Sequence, residues 1–282
     1  MIELACGPWH ARLRPEIGGS LAALDRDGTP VLRRMAADAD HALQAACFPL
    51  VPFCNRIAEG RFTIGGREVA VAPNLSPQPH PLHGLGWLSV WRVVRHDTSS
   101  ALMEHAHDGS GEWPWAYVAH QHIALDADGC TVRLMVRNAA AEPAPLGLGL
   151  HPYFRRSAES RVTLVAEAML GIGEDVLPDG QVHPAETFAG WSGGAPLPDR
   201  LVDNSFARWN GSAAIADELG TITLRGFGAP HCHLYAPPGG AELCVEPVNH
   251  LPDALNRAPS EMPVVQPGCA AGLAMRIEAS PV

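Results

Sequence analysis

The density of glycine and proline is the feature that most constrains how this chain folds. Its 282 residues include 28 glycines and 26 prolines, and both residue types interrupt regular secondary structure. Few windows between them keep a helical period over three turns. Short runs in which apolar and polar residues alternate are common instead, and such runs are typical of half-buried β-strands. The sequence therefore predicts an all-β protein.

Strand-like segments recur along the whole chain. Residues 61–72, RFTIGGREVAVA, carry Gly65-Gly66 between two alternating runs, which predicts a tight hairpin. Residues 117–138 predict a longer hairpin around the turn sequence DADG. Further strands are predicted over residues 161–168, 220–226, 231–236, 241–247 and 272–279. This pattern favours a large antiparallel β-sandwich.

The remaining segments give little sign of a domain boundary. The best helix candidate is residues 37–46, ADADHALQAA. Residues 171–200 and 247–270 are rich in proline and glycine, but neither has the composition of a flexible linker. We predict a single domain over residues 1–282, with a two-domain β protein as the alternative.

Charge and cysteine content narrow the set of partners. A formal net charge of -10 argues against nucleic acid or an anionic membrane surface. No leader-like segment stands at the N-terminus, and no apolar run approaches the ~20 residues that span a bilayer. The seven cysteines include no CxxC pair, which predicts reduced and mostly buried thiols. We therefore expect a cytoplasmic monomer or homodimer with neither nucleic acid nor membrane as partner.

The chain contains no lysine, since all 20 of its basic residues are arginine. Schiff-base aldolases, pyridoxal-phosphate enzymes and P-loop nucleotidases each need a lysine amine. These three classes are excluded.

Metal and nucleophile motifs are weak. Alternate residues of a strand share a face, so His-x-His pairs suit metal ligation. The pairs are His105/His107, His120/His122 and His231/His233. No nearby carboxylate or third histidine completes a ligand set for any pair, and we interpret them as ordinary strand histidines with no metal. GGS at residues 18–20 and GWSGG around Ser192 do not supply the setting of a serine nucleophile, and no cysteine is marked as a nucleophile by its context.

Two segments suggest contacts with a ligand. In FPLVPFCNRIAEGRF, Asn55 and Arg56 follow an apolar run, so the guanidinium either grips sugar hydroxyls or a carboxylate, or forms a strand-end salt bridge. In HPLHGLGW, His83 precedes Gly84 and Gly86, and such glycines permit a ligand to approach the backbone or simply form a turn.

Two further segments place an ionisable side chain before a proline. GLHPYF contains His151, whose backbone is held extended by Pro152. CVEPVNHLPDALN contains Glu246 at the end of an apolar strand. Each group taken alone is either functional or structural, whereas together they resemble an acid–base pair. The pair is 95 residues apart in sequence, so only the fold could bring the two side chains together.

These segments resemble the aldose 1-epimerase, or galactose mutarotase, family. NRIAEGRF, LHG, GLHPYF, LVDNSF, CVEPVNHLPDALN and VVQPG occur in the order typical of that family, over residues 15–278. The similarity is greatest to a bacterial subgroup whose sugars are often unassigned. One departure is Leu85, which separates two glycines that are adjacent in many relatives and leaves the preferred sugar open.

The resemblance implies a fold and a set of roles. The fold is a large β-sandwich that binds a sugar in a cleft on a concave sheet. His151 matches the general acid and Glu246 the general base. The matched substrate-binding residues are Arg56, His83, Asp203 and Asn55.

Interconversion of the two anomers of a free aldose needs one acid and one base. Ring opening removes a proton from O1 and adds one to the ring oxygen O5, and closure on the other face reverses both transfers. We expect a Glu246 carboxylate and a His151 imidazolium, facing each other a sugar ring's width apart. No cofactor is expected, because nothing is oxidised and no group is transferred. Trp87, Trp113 or Trp115 would be available to stack on the sugar.

Two alternatives stay open. A catalytically silent sugar-binding or regulatory protein would use the same fold, because a fold does not determine a function. A hexose-6-phosphate epimerase would need an anion site, for which the sequence offers Arg33-Arg34 or Arg155-Arg156.

Overall fold

Antiparallel strands dominate the computed structural model, which describes residues 1–280. Nineteen of the strands join one hydrogen-bonded network. Two short two-stranded sheets complete the set: Ala144–Pro145 pairs with Val264–Val265, and Arg61–Ile64 pairs with Arg67–Ala70. The predicted large antiparallel β-sandwich is confirmed.

The strands follow one another with few long interruptions. They are β1 (Ile2–Cys6), β2 (Trp9–Arg14), β3 (Ser20–Arg26), β4 (Thr29–Leu32), β5 (Pro49–Leu50), β6 (Arg61–Ile64), β7 (Arg67–Ala70), β8 (Arg92–His96), β9 (Ser100–His107), β10 (Tyr117–Leu125), β11 (Gly129–Asn138), β12 (Ala144–Pro145), β13 (Gly149–Leu150), β14 (Tyr153–Arg155), β15 (Arg161–Ile172), β16 (Pro178–Pro184), β17 (Ala195–Pro196), β18 (Val202–Asp217), β19 (Gly220–Phe227), β20 (His231–Ala236), β21 (Glu242–Val248), β22 (Val264–Val265) and β23 (Ala270–Ser280).

Helices are short. One four-residue α-helix, α1, covers Ala254–Arg257. The 3-10 helices are Ala42–Gln44, Ala58–Gly60, Gly86–Leu88 and Trp191–Gly193. No helix within residues 1–280 combines the length and the apolarity that crossing a membrane requires.

The predicted hairpins are present, whereas the predicted helix is not. Strands β6 and β7 pair across Gly65-Gly66, and β10 pairs with β11. The helix prediction for residues 37–46 is wrong, since only Ala42–Gln44 forms a single 3-10 turn. The backbone of Ala46 and Cys47 bonds instead to Leu21 of β3, so tertiary pairing overrides the local helix propensity.

The core lies between strands whose side chains alternate. In β10 every second residue is buried, as expected when one face of a sheet packs on a core. Strand β21 differs because almost all of its residues are buried. Leu243 and Val245 belong to the main core, whereas Cys244 and Val248 pack in a second apolar cluster with Phe48. Segments on the far face therefore cover the sheet there.

All seven cysteines are free thiols, as predicted. Five are buried, Cys6 is partly exposed and Cys269 is exposed.

A buried ion pair ties β14 to the end of β18. The Arg155 guanidinium donates two hydrogen bonds, of 3.0 and 2.9 Å, to the Asp217 carboxylate, whose side chain is 2% exposed. A third bond from Arg155 reaches the carbonyl of Pro30. This arginine is consequently occupied by structural contacts.

Asp217→Asn is expected to lower the free energy of unfolding by about 3 kcal/mol, because it leaves the Arg155 charge buried without its partner. The matched control is Glu167→Gln, which breaks an exposed pair with Arg208 and should change that free energy by less than about 1 kcal/mol. Urea denaturation measures both variants. Equally small losses would show that the buried pair does not contribute to stability.

Candidate active site

The register of three neighbouring strands collects polar side chains on one face of the sheet. Ser205 of β18 lies opposite His233 of β20, which lies opposite Glu246 of β21. Because residues directly opposite share a face in an antiparallel pair, these side chains form a row. Two positions along, Asp203, Tyr235 and Cys244 form a second row on the same face.

The GLHPYF segment completes these rows. Gly149 pairs with Val248 and Tyr153 pairs with Cys244, so the intervening register places His151 opposite Glu246. Pro152 interrupts the ladder because it has no N–H. The His151 and Tyr153 N–H groups donate to the carbonyls of Phe48 and Ala46 on the other side. The rigid dipeptide therefore aims the imidazole at the carboxyl group of Glu246.

Aromatic rings hold the His151 imidazole in place. It stacks on Phe48 and on Tyr153, each with ring centroids 4.7 Å apart. Its Nε2 lies 3.3 Å from Oε1 of Glu246. The two groups are 6% and 2% exposed. They are in direct contact, so the expected separation of a sugar ring's width is wrong.

Burial sets the charge state of this pair. It raises the pKa of Glu246 to about 8, against the lowering effect of the neighbouring His233 and Arg56. It also lowers the pKa of His151 to about 3, and the charges of His233 and Arg33 act in the same direction. Both shifts act against the predicted pair of a carboxylate and an imidazolium. Desolvation disfavours both charges, and the pair holds one proton, on the carboxyl group.

His83 and Asn55 fix each other's positions through two hydrogen bonds. Both have positive φ angles, of 59° and 55°. The Asn55 N–H donates to Nδ1 of His83 over 3.1 Å, and the His83 N–H donates to the Asn55 carbonyl over 2.9 Å. The first bond fixes the tautomer, so Nε2 carries the ring proton. Burial keeps the pKa of His83 well below its usual value, and the ring is a neutral donor.

The glycines after His83 serve packing rather than a ligand. A Cβ on Gly84 would lie 2.4 Å from the carbonyl oxygen of Val51, and one on Gly86 would lie 2.4 Å from the Val51 side chain. These contacts favour the turn, which was the alternative interpretation of the two glycines.

The Arg56 guanidinium has an N–H donor that no residue of the described chain uses. Its Nη1 reaches the Asn55 side-chain oxygen at 3.4 Å, and its buried Nε has no hydrogen-bond partner within the described chain. Burial lowers the pKa of Arg56 from its usual value, but an arginine stays charged at neutral pH.

The CVEPVNHLPDALN segment supports Arg56 as well as supplying Glu246. The Asp253 N–H donates to the Arg56 carbonyl. The Asp253 carboxylate accepts from the Ala58 N–H. His250 accepts from the Cys54 N–H through Nε2. These contacts explain why the motif extends beyond the glutamate.

Asp203 lies in a buried chain of hydrogen bonds. Its Oδ1 is 2.7 Å from Nε2 of His233, whose Nδ1 is 2.9 Å from Oγ of Ser205. The carboxylate raises the pKa of His233 against the effect of burial, and the His233 bond in turn lowers the pKa of Asp203. The two pKa shifts favour the carboxylate form of Asp203 and the protonated form of His233.

One cavity of about 380 Å³ joins these groups, which is within the range typical of small-molecule sites. All six predicted site residues line it: Glu246, His151, Arg56, His83, Asp203 and Asn55. Arg33, which the sequence offered as part of an anion site, also lines it. The lining residues that sequence reasoning did not propose as ligand contacts are Leu43, Leu82, Tyr153, His233, Tyr235, Pro237, Glu242 and Cys244.

His233 is the most informative of the residues that were missed. Its His-x-His spacing was the available signal, but we interpreted it as structural. That interpretation suits His105, which is 3.2 Å from the Tyr117 hydroxyl, and His120, which is 3.0 Å from Glu104. His233 is likewise hydrogen-bonded at both ring nitrogens, but the pairing of β18 with β20 also places it in the cavity lining beside Asp203.

The three tryptophans suggested as sugar platforms lie elsewhere. Trp87, Trp113 and Trp115 are 1%, 0% and 3% exposed and are absent from the cavity lining. The stacking prediction is wrong for all three, since their large apolar surfaces are buried in the core.

Comparison with known proteins identifies the family. Residues 13–278 match the family described as aldose 1-epimerase. The uncharacterized protein YphB of Escherichia coli (strain K12) is 36% identical over 200 residues, which are 70% of this chain and 68% of that protein. Mouse galactose mutarotase is 30% identical over 142 residues, which are 47% of this chain and 40% of that protein.

Solved structures share the fold. The crystal structure of an Escherichia coli K12 protein provisionally called an aldose 1-epimerase superposes with a TM-score of 0.92 at 32% identity, covering 99% of this chain and 98% of the other. A galactose mutarotase-like protein from Clostridium acetobutylicum gives 0.87 at 18% identity, with 99% and 95% coverage. The architecture is thus a galactose mutarotase-like β-sandwich. The chain belongs to the aldose 1-epimerase family.

His233→Ala is expected to raise the pKa of Asp203, because it removes both the hydrogen bond and the positive charge that stabilise the carboxylate. Ser205→Ala is the matched control and should leave that pKa close to its wild-type value, since the His233–Asp203 contact remains. NMR titration of the carboxyl carbons measures both. An unchanged Asp203 pKa in His233→Ala would contradict the assigned ion pair.

Proposed function

We propose that this protein is an aldose 1-epimerase that interconverts the α and β anomers of a free aldose. The observation that carries the proposal is the contact between His151 and Glu246 on the floor of the cavity, 3.3 Å apart. The two atoms that exchange protons, O1 and O5, are bonded to the same sugar carbon. Two groups in contact can therefore serve both atoms, and a separation of a ring's width is unnecessary.

The pair holds one proton, which is what the reaction requires. We assign Glu246 as the base that takes the O1 proton and His151 as the acid that protonates O5, the roles that family membership supports. The shared proton must pass from the Glu246 carboxyl to Nε2 of His151 before ring opening. The positive charge of Arg56 favours that transfer because it stabilises the Glu246 carboxylate, whereas His233 lowers the pKa values of both Glu246 and His151. The proton count is unchanged, so the pair can repeat the cycle in either direction.

The other cavity groups are assigned to binding and orienting the sugar. The Arg56 guanidinium and the neutral His83 ring supply donors to the sugar oxygens. The Asp203 carboxylate supplies an acceptor for hydroxyl protons, and the side-chain amide of Asn55 adds a further donor. Arg56 has a fixed positive charge that stabilises negative charge developing on oxygen during ring opening.

A hexose 6-phosphate is a poorer candidate than a free sugar. Arg155 is bonded to Asp217, Arg34 to Asp25 and Arg156 to the Pro237 carbonyl. Arg33 lines the cavity, but it donates to two backbone carbonyls and stacks on Tyr153 at 3.4 Å. Glu242 also lines the cavity, and its charge opposes a phosphate group. These contacts favour the free aldose as substrate.

The protein is also proposed to work in the cytoplasm as a monomer or homodimer. Its seven free thiols support a reducing compartment.

Glu246→Gln and His151→Asn are each expected to lower turnover by about 10²–10⁴-fold, because each removes one of the two proton-transfer groups. Polarimetry of freshly dissolved α-D-glucose, α-D-galactose and a panel of other aldoses measures the rate above the spontaneous background. Glu167→Gln and His120→Asn, which lie outside the cavity, are matched controls and should keep the wild-type rate.

Near-normal turnover in either active-site variant would remove that residue from its role. Sugar binding without acceleration for any aldose would favour the catalytically silent alternative. Faster turnover of a hexose 6-phosphate than of the free hexose would favour the phosphosugar epimerase.

The pH profile tests the single shared proton. Above about pH 8 the Glu246 carboxyl loses it, no group remains to protonate O5, and kcat/KM should fall. From about pH 4 to 7 the pair retains one proton, and the rate should be flat. His233→Gln should shift the alkaline limb to higher pH, because it removes a positive charge that lowers the pKa of Glu246. If kcat/KM, after subtraction of the spontaneous reaction, kept rising above pH 9, the assignment of one shared proton to Glu246 and His151 would be contradicted.

A further inference from the structure

Three metal-ligand side chains converge on the cavity floor. Ligand atoms of His151, Cys244 and Glu246 all lie within 4.8 Å of one another, and all three residues are buried and line the cavity. Cys244 and Glu246 are alternate residues of β21 and share a face, while His151 lies opposite Glu246. Two members of the cluster therefore lie on strand β21, and the third lies in the buried two-residue link between β13 and β14.

The donor set and the spacing suit a thiophilic divalent cation. Imidazole, thiolate and carboxylate are the ligands that Zn²⁺ takes in proteins, and three protein ligands leave a fourth position open. Tetrahedral Zn²⁺ bonds of about 2.0–2.1 Å place nitrogen and oxygen ligands about 3.4 Å apart. The observed distance between Nε2 and Oε1 is 3.3 Å. The fourth position would open onto the cavity, which also supplies the entry path.

The surroundings indicate reversible binding rather than a resident metal. The buried Nδ1 of His151 has no hydrogen-bond partner among residues 1–280. Metal-bound histidines ordinarily donate the N–H of their second ring nitrogen to an acceptor, and a site without that acceptor binds metal more weakly. Arg33 and Arg56 line the same cavity and oppose a second positive charge, while Asp203 and Glu242 favour it.

We propose that His151, Cys244 and Glu246 form a reversible binding site for Zn²⁺ or Cd²⁺, and that the bound ion blocks the acid–base pair. Binding forms bonds from the metal to the Cys244 sulfur, to Nε2 of His151 and to a carboxylate oxygen of Glu246, as the thiol proton and the Glu246 carboxyl proton both leave to solvent. The blocked reaction depends on the proposed epimerase function, whereas metal binding does not.

Cd²⁺ titration tests the site directly, because thiolate-to-metal absorption in the ultraviolet reports only cysteine ligation. Cys6 and Cys269, the two cysteines that are not buried, are first replaced by serine in every protein used. One equivalent of Cd²⁺ should then give the thiolate band. Cys244→Ala should lose the band and bind at least tenfold more weakly. Cys54→Ala, another buried cysteine of the same apolar cluster, is the matched control and should keep both.

His151→Asn keeps the thiol and provides a second variant should Cys244→Ala fail to fold. It should keep a weaker band with at least a tenfold loss in affinity. Absence of the band in the parent protein, or equal losses in Cys244→Ala and Cys54→Ala, would overturn the proposal.

Polarimetry separates this proposal from the epimerase function. Zn²⁺ should inhibit turnover, and EDTA should reverse the inhibition. Cys244→Ala should keep most of its own metal-free rate when Zn²⁺ is added. Active protein that binds no metal through Cys244 would refute the metal site alone. Metal binding in a protein without epimerase activity would refute the proposed function and leave the site intact.

Discussion

The antiparallel register of β18, β20 and β21 is the constraint on which the site depends. It places Ser205, His233 and Glu246 in one row and brings Asp203 and Cys244 to the same face two residues away. A shift of one residue in any pairing would turn that strand's side chains to the opposite face. The apolar core on the other side of β21 prevents such a shift, because the shift would turn the ionisable Glu246 side chain into that core. Core packing and site geometry are therefore enforced together.

Burial has two opposite effects within one cavity. It neutralises the contact pair of His151 and Glu246, since neither charge has enough compensation. Beside them, a 2.7 Å hydrogen bond offsets desolvation, so that the pKa of Asp203 is lowered, the pKa of His233 is raised and the charged forms of both are favoured. Asp203 and His233 thus supply a fixed electric field around His151 and Glu246, which share a movable proton. That arrangement suits a reaction in which one proton is taken and one returned.

Short motifs identified much of this site before the fold was considered. His151 was recognisable because the following proline and the aromatic residues form a distinctive local pattern, and the structure shows that those aromatic rings clamp its imidazole. Asn55 and His83 were marked by neighbouring prolines and glycines, and their positive φ angles explain why the local sequence is unusual. His233 and Cys244 carried no such mark. Their importance comes from partners on other strands, which spacing along one strand cannot reveal.

The sequence by itself determined the all-β architecture, the two central hairpins and the residue types available for acid–base chemistry. Strand periodicity, turn residues and the absence of lysine are local or compositional properties, so they can be read without coordinates. Only the tertiary structure decided that His151 contacts Glu246, that burial leaves them sharing one proton, and that the tryptophans lie in the core. Distances, desolvation and charge balance depend on residues far apart in sequence, and those relations exist only once the sheet has formed.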